Sequence, residues 1–190
     1  MDSHGGTDDF YRLVWPHSAT LLRTAYLLSR NHTDAEDLTQ EAMLKAFRSL
    51  DSLQDESRIK PWLMSILRHC HTDRVRAAKP DELSLDQLDF DPPDRNPPET
   101  PDLSDLWHEP EEVMRLFSDE QIIAALQALP KDIRWTLLLV DIEGLDDAET
   151  AAVLDIPTGT IKSRLHRGRS MLRAALAPLL SEQSSTTNIH

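Results

Sequence analysis

Five lysines and arginines fall within twelve residues, at Lys162, Arg164, Arg167, Arg169 and Arg173, interleaved with Thr160, Ser163 and His166. No carboxylate occurs from Thr158 to Pro178, in a chain whose net charge is −13. Guanidinium and ammonium groups at this density can pair with phosphate oxygens and with the O6/N7 edge of guanine. A basic helix taken alone is most often a solvated surface. Confinement of these cations to one acid-free helix of an acidic protein shifts the reading toward DNA.

The elements that must carry them are legible. A helix starts at Asp146, with Glu149 three residues on in the spacing of a capping box. Ala148, Ala151, Ala152, Val153 and Leu154 give it a small apolar face. Asp155-Ile156-Pro157-Thr158-Gly159 stops it, because a proline disfavours helical geometry in the residue before it. Pro157 then suits the first turn of a second helix. Ile161, Leu165, Leu172 and Leu176, spaced by 4, 7 and 4, form that helix's buried stripe. Two short helices about a tight turn, the second cationic, make a helix-turn-helix able to enter a major groove. Ahead of it, Leu129-Pro130 starts a buttressing helix lined by Trp135, Leu138, Leu139 and Ile142, with Gly144 as its cap.

Composition points to an all-α protein: 39% hydrophobic, 5% aromatic, only 5 glycines, and no alternating β-branched runs. Cys70 is the single cysteine, which excludes an internal disulfide and suits a reducing cytosol. Neither a signal peptide nor an apolar run of membrane-spanning length is visible, so a cytoplasmic location is expected. The charge is uneven. Residues 1–79 hold 11 basic and 11 acidic side chains, whereas residues 80–112 hold 1 and 12, with 7 of the 12 prolines. Such a stretch cannot build a core. The organisation expected is a helical module over 1–79, an acidic linker over 80–118, the helix-turn-helix module over 119–180 and a disordered tail over 181–190.

In the first module a helix is expected from Phe10 to Ser29, broken or restarted at Pro16. Thr33 and Glu36 suggest a capping box for a second helix to about Leu50, whose inward face is Leu38, Ala42, Met43, Ala46, Phe47 and Leu50. Asp37, Gln40, Glu41 and Leu44 lie on a different stripe of it. After the polar loop Asp51–Arg58, a third helix runs from about Ile59 to Ala78, with Trp62, Leu63, Ile66, Leu67 and Val75 facing in. His69-Cys70-His71 is not a metal site, because adjacent helical residues diverge around the axis.

DAEDLTQEAMLKAF (34–47), Leu50-Asp51-Ser52 and PWLMSILRHCHTDRVR (61–76) resemble region 2 of bacterial RNA polymerase sigma factors. ALPKDIRWTLLLVDIEGLDDAETAAVLDIPTGTIKSRLHRGRSMLRAAL (128–176) resembles their region 4. The short chain without a region 3 resembles the extracytoplasmic-function (ECF) group of the sigma-70 family. The resemblance implies that Asp37, Gln40, Glu41 and Leu44 dock on the β′ clamp helices of core polymerase, with the β flap a further contact. It implies that the loop and the start of the third helix open and read the −10 element. Leu53, Trp62 and His69 lie near a flipped base, with Trp62 at an apolar helical position better read as core, and Lys60, Arg68 and Arg74 offer charge for single-stranded phosphate. Gln54-Asp55-Glu56 stands where many relatives have a basic-Gly-Asp loop. It implies that the second helix of the helix-turn-helix reads the −35 element, with Lys162, Ser163, His166 and Arg167 toward bases and Thr160 and Arg164 toward phosphate or sugar.

The linker is read either as a solvated spacer or as a nucleic-acid mimic in the polymerase channel. Promoter DNA and core polymerase are the expected partners, and the resemblance adds an anti-sigma factor, which commonly holds off members of this group. The competing reading is a stand-alone helix-turn-helix regulator that binds a palindrome as a dimer. No P-loop, dinucleotide motif, zinc spacing or nucleophile motif supports an enzyme, and no cofactor is expected.

Overall fold

The computed structural model describes the backbone of residues 3–78 and 119–186, and the side chains of residues 6–78 and 120–178. All regular elements among the described residues are helical. The expected linker over 80–118 lies outside the described residues. The chain divides into two compact units, Met1–Pro97 and Pro98–His190.

In the first unit, α1 (Ser3–Asp9) passes through a π-helical turn at Phe10–Val14 and a 3-10 turn at Trp15–His17 into α2 (Ser18–Ser29). Pro16 falls in the 3-10 turn, where its missing N–H is tolerated. Arg30 then adopts the left-handed conformation at φ 57° and donates its N–H to Tyr26 O at 2.9 Å, ending α2. The next helix, α3 (His32–Ser49), is capped by Asn31 rather than by Thr33. The Asn31 side chain accepts from the N–H groups of Thr33 and Asp34 at 2.9 and 3.3 Å, so the T-x-x-E pattern starts two residues too late to be the cap. A 3-10 turn at Leu50–Ser52 and another at Glu56–Arg58 lead into α4 (Ile59–Ala78).

Helices α2, α3 and α4 pack around Leu21, Leu28, Leu38, Leu63, Met64 and Leu67. Ala25, Ala35, Ala42 and Ala46 are fully buried between them, and side chains this small let the helix backbones approach closely. Each buried leucine contributes roughly 1.5–3 kcal/mol. Two positions expected inside are exposed, Phe47 and Val75. The buried sequence of α3 runs through Ala42, Ala46 and Leu50, which turns Phe47 about 100° outward. On α4 the inward stripe is Leu63, Met64, Leu67 and Cys70, whose next step is position 74 and not 75.

The second unit adds a helix absent from the sequence expectations, α5 (Asp119–Gln127), which buries Ile122, Ile123, Ala125 and Leu126. Arg134 caps its end by donating to Gln127 O and Leu129 O at 2.8 and 3.0 Å, a cation at a helix C-terminus. Pro130 stands just before α6 (Lys131–Leu137), which continues as a π-helical turn at Leu138–Ile142. Gly144 closes it at φ +68°, donating to Val140 O at 3.1 Å. The last two helices are α7 (Asp147–Leu154) and α8 (Thr158–Thr186). Helix α8 thus runs past Pro178 to Thr186, into the stretch read from sequence as a tail. Leu, Glu and Gln after the proline are good helix formers. Residues 187–190 lie outside the described residues.

Candidate functional site

The helix-turn-helix is built by local chemistry. Asp146 Oδ1 accepts from Glu149 N–H at 2.7 Å, and Glu149 Oε2 accepts from Asp146 N–H at 3.1 Å, so the capping box is complete. Asp155 takes the left-handed conformation at φ 57°, and Ile156 N–H returns to Ala151 O at 3.1 Å. Pro157 accepts from Thr160 N–H at 3.0 Å in the first turn of α8. On α7 the buried positions are Thr150, Ala151, Val153 and Leu154, while Ala148 and Ala152 face out. On α8 the predicted stripe of Ile161, Leu165, Leu172 and Leu176 is buried throughout.

Gly168 lies on the same inward side, and sequence reasoning missed it. A Cβ there would stand 2.6 Å from Ile133 Cγ2 and 3.0 Å from Leu137 Cδ1. Only glycine allows α8 to approach α6 this closely. The signal was available, because Gly168 falls three residues after Leu165 and four before Leu172, in phase with the stripe.

The residues expected to meet DNA separate into two groups. Lys162, Ser163 and His166 are exposed on one side of α8, with Thr160 and Arg167 half-buried near them. Two other cations are turned toward the unit itself. Arg169 donates to the largely buried Asp141 of the α6 extension at 2.5 and 3.1 Å, which raises the guanidinium pKa despite its partial burial. Arg164 is mostly covered and reaches Asp132 at 3.5 Å. The basic face is therefore tied to α6 along one edge and open along the other.

In the first unit, Asp37, Gln40 and Leu44 are exposed on α3, in the stripe their spacing predicts. Glu41 is half-buried: its carboxylate accepts from Arg74 Nε at 2.9 Å and lies 3.1 Å from Lys45 Nζ. Burial pushes this carboxyl up, but the two cations outweigh it and hold it below the usual range. Arg74 and Glu41, assigned from sequence to different tasks, thus meet across the α3–α4 seam. Leu53, Lys60 and Arg68 are half-buried and His69 is exposed. Cys70 is buried while its neighbour His69 is exposed, so the two leave α4 on different sides.

The loop before α4 has its own scaffold. Asp55 accepts from Ser57 N–H and Ser57 Oγ at 2.9 and 2.7 Å, shaping the 3-10 turn. Arg12 clamps Glu56 with two parallel bonds of 2.7 and 2.8 Å and also reaches Asp9 at 2.8 Å. This clamp joins the loop to the N-terminal π-helical turn, and it was not foreseen. No helix among the described residues is long and apolar enough to cross a membrane.

Residues 13–80 match the family model of sigma-70 region 2, and residues 119–172 match that of sigma-70 region 4. The chain is 39% identical over 174 residues to the ECF RNA polymerase sigma factor SigE of Mycolicibacterium smegmatis, covering 92% of this chain and 64% of that protein. It is 32% identical over 180 residues to the ECF RNA polymerase sigma factor SigM of Mycobacterium tuberculosis, covering 95% and 81%. Among solved structures, the sigma factor RpoE in complex with the anti-sigma factor NepR from Bartonella quintana is similar at a TM-score of 0.67 and 27% identity, covering 88% of this chain and 96% of that one. Two helical units, carrying the region 2 and region 4 motifs in that order, place this chain in the ECF group of the sigma-70 family of RNA polymerase sigma factors.

Proposed function

We propose that this sigma factor divides its work between the units. It binds core RNA polymerase and directs it to promoters for initiation, and the catalysis belongs to the polymerase. Asp37, Gln40, Glu41 and Leu44 of α3 form the polymerase-binding stripe. Leu53, Lys60, Arg68 and His69 handle the opened −10 element, and Arg74 contributes chiefly by fixing Glu41. Lys162, Ser163, His166 and Arg167 face −35 bases, with Thr160 and Arg164 at the backbone. The acidic linker over 80–118 connects the two tasks. The protein acts in the cytoplasm, where its DNA is, and an anti-sigma factor is its expected inhibitor.

The observation that carries this reading is the open, carboxylate-free side of α8 on the second helix of a helix-turn-helix, in one chain with a region 2 match. Because the protein is acidic overall, its DNA binding should depend on the polymerase. The test is reconstitution with core polymerase and run-off transcription on a genomic fragment library. Asp37→Ala/Gln40→Ala is the informative variant, since both side chains are exposed, whereas Glu41 also supports the fold. Holoenzyme assembly and promoter-specific transcripts should fall together. A chain that ignores core polymerase and footprints a symmetric operator alone would instead be a conventional regulator.

A further inference from the structure

Six large apolar side chains are exposed among the described residues, and all of them are in the first unit. Four are contiguous. Leu44 and Phe47 are three residues apart on α3, hence neighbours on one face. The Phe47 ring meets Phe10 edge-on with centroids 5.3 Å apart. Phe10 meets Tyr11 at 5.9 Å, and Tyr11 meets Trp15 at 5.7 Å. A path of rings therefore leads from the α3 stripe across the N-terminal π-helical turn. Its members are far from covered: Tyr11 is 59% exposed, Trp15 54%, Leu44 56% and Phe47 46%. Contiguous apolar surface of this kind marks a site of interaction.

The charge at its N-terminal end bears on the occupant. Arg12 is the one arginine or lysine before Arg23, and it sits between Tyr11 and Trp15 in sequence. Its guanidinium is already engaged by both oxygens of Glu56 and by Asp9. At the Tyr11–Trp15 end the cation is thus already satisfied by carboxylates, while Arg48 is exposed beside Phe47 at the α3 end. The exposed carboxylates nearby, Asp8 and Asp37, suit a protein surface that is apolar with basic residues at its edge. The clamp also holds the turn in place, so ordering the rings adds little to the cost of association.

We propose that Tyr11, Trp15 and Phe47 extend the polymerase-binding surface of α3, so that core polymerase covers the aromatic path together with the Asp37–Leu44 stripe. The inference rests on that stripe being the polymerase face, and continuity through Leu44 is what commits the patch to the same partner. Tyr and Trp are the residue types that most often dominate interface energy.

The test uses the full chain and purified core polymerase, with affinity measured by competition against labelled wild-type protein. Tyr11→Ser/Trp15→Ser should bind roughly thirty-fold more weakly, the loss of one hot spot of ~2 kcal/mol. Helical content should be unchanged, because neither side chain is in the core. Trp15→Phe, which keeps an aromatic ring, should stay within about threefold of wild type. If the double variant keeps wild-type affinity while Asp37→Ala/Gln40→Ala loses it, the extension is wrong and the stripe stands. If neither variant loses affinity, the stripe itself is misassigned. If the aromatic variant only abolishes self-association in light scattering, the patch is a contact between copies and the proposal fails.

Discussion

In the first unit Tyr11, Trp15, Leu44 and Phe47 stand in water; in the second, no large apolar side chain is exposed among the described residues. The second unit exposes Lys162, Ser163 and His166 instead, and turns Arg164 and Arg169 onto Asp132 and Asp141. In the first unit Arg12, Lys45 and Arg74 are held against Glu56 and Glu41, while Arg30, Arg48, Arg58 and Arg76 are exposed. The difference in apolar exposure fits the division of work proposed above. A protein partner rewards apolar area and penalises unpaired charge, whereas DNA rewards open cations. Net charge would have hidden this, because the acidic excess comes from residues 80–112 and not from either face.

The comparison can be broken first at Lys162. Lys162→Ala should lose about 1–3 kcal/mol on the preferred −35 element and relax preference at one base pair, measured with holoenzyme on a panel of −35 variants. Core assembly should be untouched. An equal loss on every sequence, with a shallower salt dependence, would make Lys162 a phosphate contact only. A smaller effect is expected at Gly168, which tests how the second unit holds its cationic helix. A methyl group gains about 0.5–1 kcal/mol of helix preference but must displace Ile133 and Leu137, an overpacking penalty of about 1–3 kcal/mol. The collision should win, because Ile133 Cγ2 sits on a stiff β-branched side chain. Gly168→Ala should therefore unfold at lower urea by about 1–2 kcal/mol, and a more stable variant would show that α8 does not need this approach.

Legibility followed sequence distance. The capping box at Asp146 and Glu149, the stop at Asp155 to Pro157 and the stripe from Ile161 to Leu176 are local patterns, and each appears as read. Helix α4 has the expected limits for the same reason. Phe47 was misread because Ala46 and Phe47 are both apolar, and periodicity alone does not choose between adjacent positions. The N-cap slipped from Asn31 to Thr33 because two capping residues compete within three positions. Contacts between Arg74 and Glu41, Arg12 and Glu56, or Arg169 and Asp141 join residues 28 to 44 apart, and only packing reveals them. The role proposed for Asp37, Gln40 and Glu41 comes from family resemblance alone, since a carboxylate on a solvent-facing stripe has no partner written in its own spacing.

The smallest effect tests the local field at the first unit's N-terminal turn. His17 is half-buried in the 3-10 turn before α2, and burial together with the positive field of Lys60 lowers its pKa from the usual 6.5. A lowered histidine pKa means that the unfolded chain takes up the proton first. Well above pH 6.5 neither state is protonated there, and His17 adds no pH dependence. As pH falls below that value stability should decline, and the decline should level off once the folded state is protonated too. Solvent on the exposed side of the ring keeps the change small. His17→Gln should flatten this part of the urea-stability profile between about pH 7 and pH 5, where only a histidine near its normal pKa titrates. Lys60→Gln should flatten it less, because it removes the charge and leaves the burial. Identical slopes in wild type and His17→Gln would assign the pH dependence to another group.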